Sequence, residues 1–350
     1  MKNLFVCHSQ LHLFLACGLV QGRFCNDENH VILFVDFNIT KELEQILEQV
    51  FDKILYRIGT YPAINKTWKE KLKRYPDDLK EIRLFMNTPY DRVFEACDDC
   101  IPELYILKYT YKNNKEIEFS WLEEGAYFRN TIDVSGFSSN AFTRNIRKIL
   151  FKYLLGLGRF YNFDGIHAGS NHILKKAYLT FPGKQRSIYN SKEIIGITDE
   201  EFSLGLSALY PAREENRLKD GSILLVMDKL DVYKDICKVQ SAISELVFNV
   251  QKRGYTIYYK YHPREESQLE ELNSCIELPR NTGVENLYSA SKGNDIIVIG
   301  IKSTGLQNAK KLGFCVISIA NVVDEGDVDV LSFYDKIGIE IVDTIKDITI

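Results

Sequence analysis

The chain has 350 residues, 45% of them apolar and 26% charged, a balance that excludes a disordered or fibrous polypeptide and accommodates two ordinary domains. Its net charge of -4 lacks the basic footprint of a nucleic-acid-binding domain, so no nucleic-acid partner is expected. Eight scattered cysteines, with a start ("MKNLFVCHSQLHLFLACGLV") that suits neither a signal peptide nor a membrane span, point to a soluble protein with reduced thiols in a cytosol.

The first run, "NLFVC" (3–7), is followed by "HSQ" and the apolar-periodic "LHLFLACGLV", the pattern of a buried strand, a tight loop and a helix. Strands are expected again at "HVILFVDF" (30–37) and "DKILYRI" (52–58), around the helical spacing of "TKELEQILEQVF". Such alternation predicts a parallel sheet. Residues 61–83, with the basic, helix-favouring "NKTWKEKLKRYPDDLKEIR", interrupt the rhythm as an excursion from the sheet. Strands are expected to resume at "ELYILKYT" (103–110) and "EIEFSWL" (116–122), and "RNIRKILFKYLLGLGRF" (144–160) predicts a basic amphipathic helix.

From about Ile194 to Asp220 the chain is polar without a sustained strand pattern, which sets the expected domains at 1–200 and 219–350. The strand-helix rhythm then restarts. It comprises a strand at "ILLVMD" (223–228), a helix over 233–252, a strand at "YTIYYKY" (255–261) and a helix over 265–273. A strand near "CIEL", a helix from about Val284, a strand at "DIIVIG" (295–300), a helix over 304–312 and a strand at "CVISIA" (315–320) complete it. Two parallel-sheet domains of this kind hold a ligand in the cleft between them, outside the carboxyl ends of the strands.

Three short patterns fall at such ends. In "WLEEGAY" the carboxylates Glu123 and Glu124 precede Gly125: a carboxylate in a partly apolar cleft can act as general base, its like-charged neighbour raises its proton affinity, and glycine permits a sharp turn. The bland alternative is a solvated turn, and "DEG" recurs at Asp324, Glu325 and Gly326. In "KYHPREE", His262 can stabilise a phosphate leaving group, Pro263 fixes the turn and Lys260 adds charge; an ordinary His-Pro turn competes with that reading. In "IGIKSTGLQNAKKLG", Ser303 and Thr304 open a helix, either as a simple N-cap or as an anion site made with the helix amides.

Metal and redox signatures are missing. Cys97 and Cys100 form a lone pair without the second pair or histidines a zinc site needs, His167 and His172 have no matching partners, and no P-loop, dinucleotide fingerprint or H-E-x-x-H occurs. Asp327 and Asp329 form the one Asp-x-Asp, late in the second domain. Cys7 and His8 are adjacent in sequence only, and a thiol nucleophile is not expected.

The order of Glu123-Glu124-Gly125, His262-Pro263 and Ser303-Thr304 resembles the bacterial sialyltransferase and polysialyltransferase families of the GT-B fold, whose signatures read acidic-acidic-Gly, His-Pro and Ser-Ser or Ser-Thr. The resemblance implies an α/β fold of two Rossmann-like domains with parallel sheets facing across a cleft, the first holding acceptor and base, the second the CMP part of the donor. Glu123 would then be the base, His262 would assist departure of the phosphate, and Ser303 and Thr304 would donate to it. "ELPRNTGVENL" looks like the families' nucleotide loop, making Glu285 the candidate partner of the ribose hydroxyls, against the plain alternative of an acid in a helix first turn. "CHSQLH" resembles the loop bordering the active site, so Ser9 and Gln10, with Glu124 and Gly125, are lining candidates. Glu-Glu in place of Asp-Asp leans toward the polysialyltransferases.

The implied activity is inverting, metal-independent transfer of sialic acid from CMP-sialic acid, with no cofactor, to an oligo- or polysaccharide of capsule, polysialic acid or lipooligosaccharide. Anionic, lipid-linked acceptors give the basic stretches (Lys66, Lys69, Lys71, Lys73, Arg74 and the 144–160 helix) a role in guiding a polyanion or in peripheral membrane association; a solvated cationic face is the alternative. Two other readings fit the same motifs: a teichoic-acid-type CMP- or CDP-dependent transferase, and a noncatalytic nucleotide-sugar-binding subunit of capsule assembly.

Overall fold

The computed structural model describes residues 1–35, 37, 39–59, 68–98, 101–124, 149, 156–160, 169–262, 265–280 and 282–349. Two compact units divide the chain, Met1–Leu209 and Tyr210–Ile350.

The first unit is built on seven strands: β1 (Lys2–Cys7), β2 (Glu28–Val35), β3 (Lys53–Ile58), β4 (Arg92–Glu95), β5 (Glu118–Leu122), β6 (Lys176–Leu179) and β7 (Glu193–Gly196). They lie in the order β3-β2-β1-β4-β5-β6-β7, every pair parallel. The helices are α1 (Gln10–Gln21), α2 (Lys41–Val50), α3 (Trp68–Phe85), α4 (Ile101–Asn113) and α5 (Asp199–Leu209). Chain order reverses direction between β1 and β4, the switch point beside which open α/β sheets bind ligands.

The second unit repeats the plan with β8 (Ser222–Val226), β9 (Ile257–Lys260), β10 (Ile276–Glu277), β11 (Ile296–Gly300), β12 (Cys315–Ser318) and β13 (Glu340–Ile341). Their order is β10-β9-β8-β11-β12-β13, again all parallel, with the switch point between β8 and β11. Helices α6 (Ile236–Lys252), α7 (Val284–Ser291), α8 (Thr304–Lys311) and α9 (Val328–Ile337) connect them. Ile223, Leu225, Val239, Ile243, Leu246, Ile257, Ile299 and Ile317 are buried in its core, where residues of β8, β9, β11 and β12 join the apolar stripe of α6.

Several sequence expectations are overturned. "ELYILKYT" is not a strand but the body of α4, with Glu103, Leu104, Ile106, Leu107 and Thr110 buried at helical spacing. Its tyrosines, isoleucine and threonine favour a strand, yet the parallel step from β4 to β5 requires a crossover, and the helix supplies it. The segment 265–273 holds only a 3-10 turn at Glu270–Leu272. There the side chains serve the backbone: Glu265 accepts from the N–H groups of Leu230 and Ser267 at 2.6 and 2.8 Å, and the Leu269 N–H donates to the Tyr261 hydroxyl at 2.7 Å. The polar stretch after Ile194 contains the end of β7 and the whole of α5, whose Phe202, Gly205, Leu206 and Leu209 form a buried helical stripe. β4 and β6, four residues each, went unnoticed as strands. The basic excursion is α3, and it runs through Pro76.

Gly125, Pro263, Cys100, Lys66, His167 and residues 144–148 and 150–155 lie outside the described residues.

Candidate active site

Glu123 directly follows β5, whose preceding Trp121 is fully buried, stacks on Tyr189 at 4.7 Å and donates through Nε1 to the Ala96 carbonyl at 3.1 Å. The base candidate is thus carried by a strand anchored on both sides. Its N–H donates to the Tyr178 carbonyl at 3.2 Å, continuing the β5–β6 ladder one step beyond the strand. The carboxylate is buried at 4% exposure, and both of its oxygens accept from Thr180, one from the N–H and one from the hydroxyl. Glu124 is half-buried.

At the end of β1, Ser9 caps α1 by accepting from the His12 N–H at 3.3 Å, and Gln10 is exposed at the helix start. Ser9 therefore has a structural duty whatever it lines. His8 is buried, stacked on Phe34 at 4.7 Å, with Nε2 2.9 Å from Glu103 Oε1. Burial lowers the neighbouring His12 to about 3, the charge of His8 adding to the effect. Glu95 at the end of β4 is fully buried, and neither of its oxygens has a hydrogen-bond partner. Desolvation, then the charges of Glu103 and Asp98, hold its carboxyl well above the usual range.

In the second unit the donor-side candidates converge on the carboxyl ends of β8, β9 and β11. Ser303 caps α8, accepting from the Gly305 N–H at 3.3 Å, and Thr304 is exposed on the first turn. Gly305 lies against Val226 at the end of β8 and Val284 at the start of α7. Glu285 in that first turn accepts from Asn308 Nδ2 on α8 at 3.1 Å. Burial raises the Glu285 carboxyl, opposed by its own backbone N–H, by Asn308 and by the charge of Lys260. The N-termini of α7 and α8 therefore present amides, a hydroxyl and a carboxylate side by side, groups suited to a phosphate and to sugar hydroxyls.

Lys260, the charge expected beside His262, is a buried cation at the end of β9. It is 3% exposed, and Nζ donates to the carbonyls of Tyr261 and Arg280 at 2.7 and 3.1 Å. Desolvation lowers it to about 8, with Glu285 opposing. It ties the Arg280 segment to the end of β9 and reaches Glu285 through its charge.

His262 is half-buried two residues beyond β9. β8 and β9 pair Val226 with Lys260, and the Met227 N–H donates to the Lys260 carbonyl at 2.9 Å, so the same register sets Asp228 opposite His262. Asp228 Oδ2 accepts from the Lys302 N–H at 3.2 Å and from the Tyr233 hydroxyl at 3.3 Å, anchoring the loop that carries Ser303. Burial raises its carboxyl, opposed by the Lys302 N–H, Tyr233, and the charges of Lys302 and His262. The Lys302 ammonium pairs with Glu325 at 2.8 Å, so the second acidic-acidic-Gly triplet is a packed ion pair.

Sequence reasoning missed Thr180, Glu95, Asp228 and Asn308. Three of them carried a signal: each is a polar residue ending an apolar run, in "KAYLT", "RVFE" and "ILLVMD". Asn308, within α8, carried none. From the basic stretch, Arg74 is bound to the buried Asp78 at 2.7 Å, and Arg159 lies 4.5 Å over the Tyr111 ring. Among the described residues no group of three His, Cys, Asp or Glu side chains is placed to hold a metal, and no helix is long and apolar enough to cross a membrane.

A profile of the alpha-2,8-polysialyltransferase family matches residues 3–321. The chain belongs to that family. The polysialyltransferase-family chain is accordingly a glycosyltransferase, and its sialyltransferase character agrees with the order of its acidic, His-Pro and hydroxyl motifs. No curated protein sequence matches it. Among solved structures it is similar to the GT-B domain of a sialyltransferase from Photobacterium damselae, at 13% identity and TM-score 0.54 over 97% of this chain and 98% of that one. It is also similar to UDP-GlcNAc 2-epimerase from Methanocaldococcus jannaschii, at 13% identity and TM-score 0.56 over 96% and 92%. A third is a putative UDP-N-acetylglucosamine 2-epimerase from Listeria monocytogenes, at 12% identity and TM-score 0.56 over 98% and 84%. These likenesses establish for the polysialyltransferase-family protein the GT-B fold, with its two parallel-sheet units.

Proposed function

We propose that the protein is an inverting, metal-independent sialyltransferase that moves sialic acid from CMP-sialic acid to a hydroxyl of a bacterial surface glycan: capsule, polysialic acid or lipooligosaccharide. What supports this most is a placement. In a chain matched by the polysialyltransferase family over residues 3–321, Glu123, His262 and Ser303 all stand just beyond the carboxyl ends of parallel strands.

In this reading the acceptor hydroxyl attacks the anomeric carbon of the β-linked donor sugar. Its proton passes to Glu123, the bond from that carbon to the phosphate oxygen breaks through an oxocarbenium-like state, and the electron pair leaves with CMP. An α-sialoside results. Negative charge grows on the departing phosphate, where His262, Ser303, Thr304 and the first amides of α8 stabilise it; one such preorganised donor is worth about 10²–10³ in rate. Glu285, steadied by Asn308, accepts from the ribose hydroxyls. No cofactor takes part. The acceptor is an oligo- or polysaccharide, anionic and lipid-linked, reached from the cytoplasmic side with the enzyme at the membrane periphery.

The test is incubation with CMP-sialic acid and galactosyl or sialyl acceptors in EDTA, with products identified by mass spectrometry and linkage analysis. Sialylated product should form, and Glu123→Gln should lower turnover on the order of 10²–10⁴-fold while CMP binding persists. Substantial turnover by that variant would remove Glu123 as the base. Transfer from CDP-glycerol in place of CMP-sialic acid, or donor binding without transfer, would overturn the assignment.

A further inference from the structure

Glu123 is a buried carboxylate whose two oxygens are both occupied by one residue 57 positions later in the chain. Thr180 is 3% exposed and begins the turn after β6. Its place is fixed from both sides of the sheet. On one side the Glu123 N–H bonds the Tyr178 carbonyl, and on the other the Ile197 N–H bonds the Leu179 carbonyl at 2.9 Å, the step that prolongs β7. Beyond it Pro182 packs against Gly196. Thr180 is therefore held by three adjacent strands before its side chain does anything.

An N–H and a hydroxyl of the same residue, one on each carboxylate oxygen, fix the plane of the carboxylate as well as its position. Rotation about the last side-chain bond would break both bonds together. Donors of this kind favour the charged form of the acid and restrain its basicity.

We propose that Thr180 is the positioning residue of the Glu123 base, fixing the plane from which its carboxylate meets the acceptor hydroxyl. The inference rests on the reading of Glu123 as that base. Thr180, buried at 3% exposure, acts through Glu123, coupling the base to the β5–β6–β7 edge of the sheet. A site on such elements keeps its geometry better than one on a loop.

Three substitutions of Thr180 test it beside E123Q, with initial rates, pH profiles and melting curves on the full chain. T180V keeps the backbone N–H and the shape but loses the hydroxyl. It should lower kcat about 10- to 100-fold, the worth of one charge-assisted hydrogen bond, and leave KM for CMP-sialic acid within about twofold. The acid limb of its kcat profile should move to higher pH, because the lost donor had favoured the carboxylate over the acid. T180S, which retains the hydroxyl, should restore the limb and most of the rate. A clamp that only stabilised the fold would lower the melting temperature and leave the acid limb of the folded fraction unmoved. Should T180V fail to fold, T180A reports the same limb. An active E123Q overturns the base assignment and this inference with it. An inactive E123Q, beside T180V and T180A with the parental kcat and acid limb, overturns the positioning role alone.

Discussion

His8 Nε2 lies 2.9 Å from Glu103 Oε1, and neither side chain has more than 1% exposure. The contact ties the end of β1 to the first turn of α4, directly before the Ser9-Gln10 loop. Beside it stands Glu95, buried without a bonding partner.

Glu95 makes stability depend on pH in a definite direction. Its folded-state pKa is raised above the ordinary 4.5, so the folded protein binds this proton more tightly than the unfolded chain does. Its contribution is fully present below 4.5 and is lost as pH rises toward the folded value. Glu95→Gln should flatten that dependence and raise the melting temperature at the alkaline end. Melting curves between about pH 5 and about pH 8 test this, and parallel wild-type and variant curves would refute it.

α1 and α5 meet backbone to backbone. A Cβ on Gly205 would lie 2.0 Å from the Phe14 carbonyl oxygen, and one on Gly18 would lie 2.1 Å from that of Glu201. Neither oxygen can yield as a flexible side chain does. Gly205→Ala should cost about 1–3 kcal/mol in urea denaturation through overpacking. A loss below a few tenths would mean the helices separate easily.

Asp228 couples the end of β8 to the hydroxyl loop through the Lys302 N–H. Asp228→Ala should free that loop and leave a donor unpaired, raising KM for CMP-sialic acid about tenfold, the effect of one hydrogen bond to a charged group. Unchanged KM with a lowered melting temperature would confine Asp228 to a structural role.

Lys260 gives a pH dependence of the opposite sense to Glu95. Its folded value of about 8 lies below the ordinary 10.5, so between these two the unfolded chain holds the extra proton and stability rises with pH. Lys260→Met should remove that rise. Denaturant midpoints measured across the window decide it.

The legibility of the site was uneven for physical reasons. The placement of the candidates Glu123, His262 and Ser303 was legible because each follows a strand-like run, and the end of a parallel strand is recognisable locally. Thr180 follows such a run as well, but nothing local says that β6 is the neighbour of β5 or that its hydroxyl turns toward a carboxylate 57 residues earlier. The burial of Lys260 was not legible, because nothing local shows that its Nζ donates to the carbonyls of Tyr261 and Arg280. α4 misled because its residues favour a strand, and only the parallel pairing of β4 with β5 required a helix between them.

The amino-acid sequence by itself determined most of the alternation of strands and helices and the order of the acidic, His-Pro and hydroxyl motifs, since periodicity and turn chemistry act over a few residues. Tertiary structure alone decided which strand ends stand together, as when β1 lies between β2 and the more distant β4. It therefore also decided which polar groups share a site: Thr180 with Glu123, Asp228 opposite His262, Asn308 with Glu285. Parallel sheets pair strands distant in sequence, so these partnerships are properties of strand order and register, which no local stretch encodes.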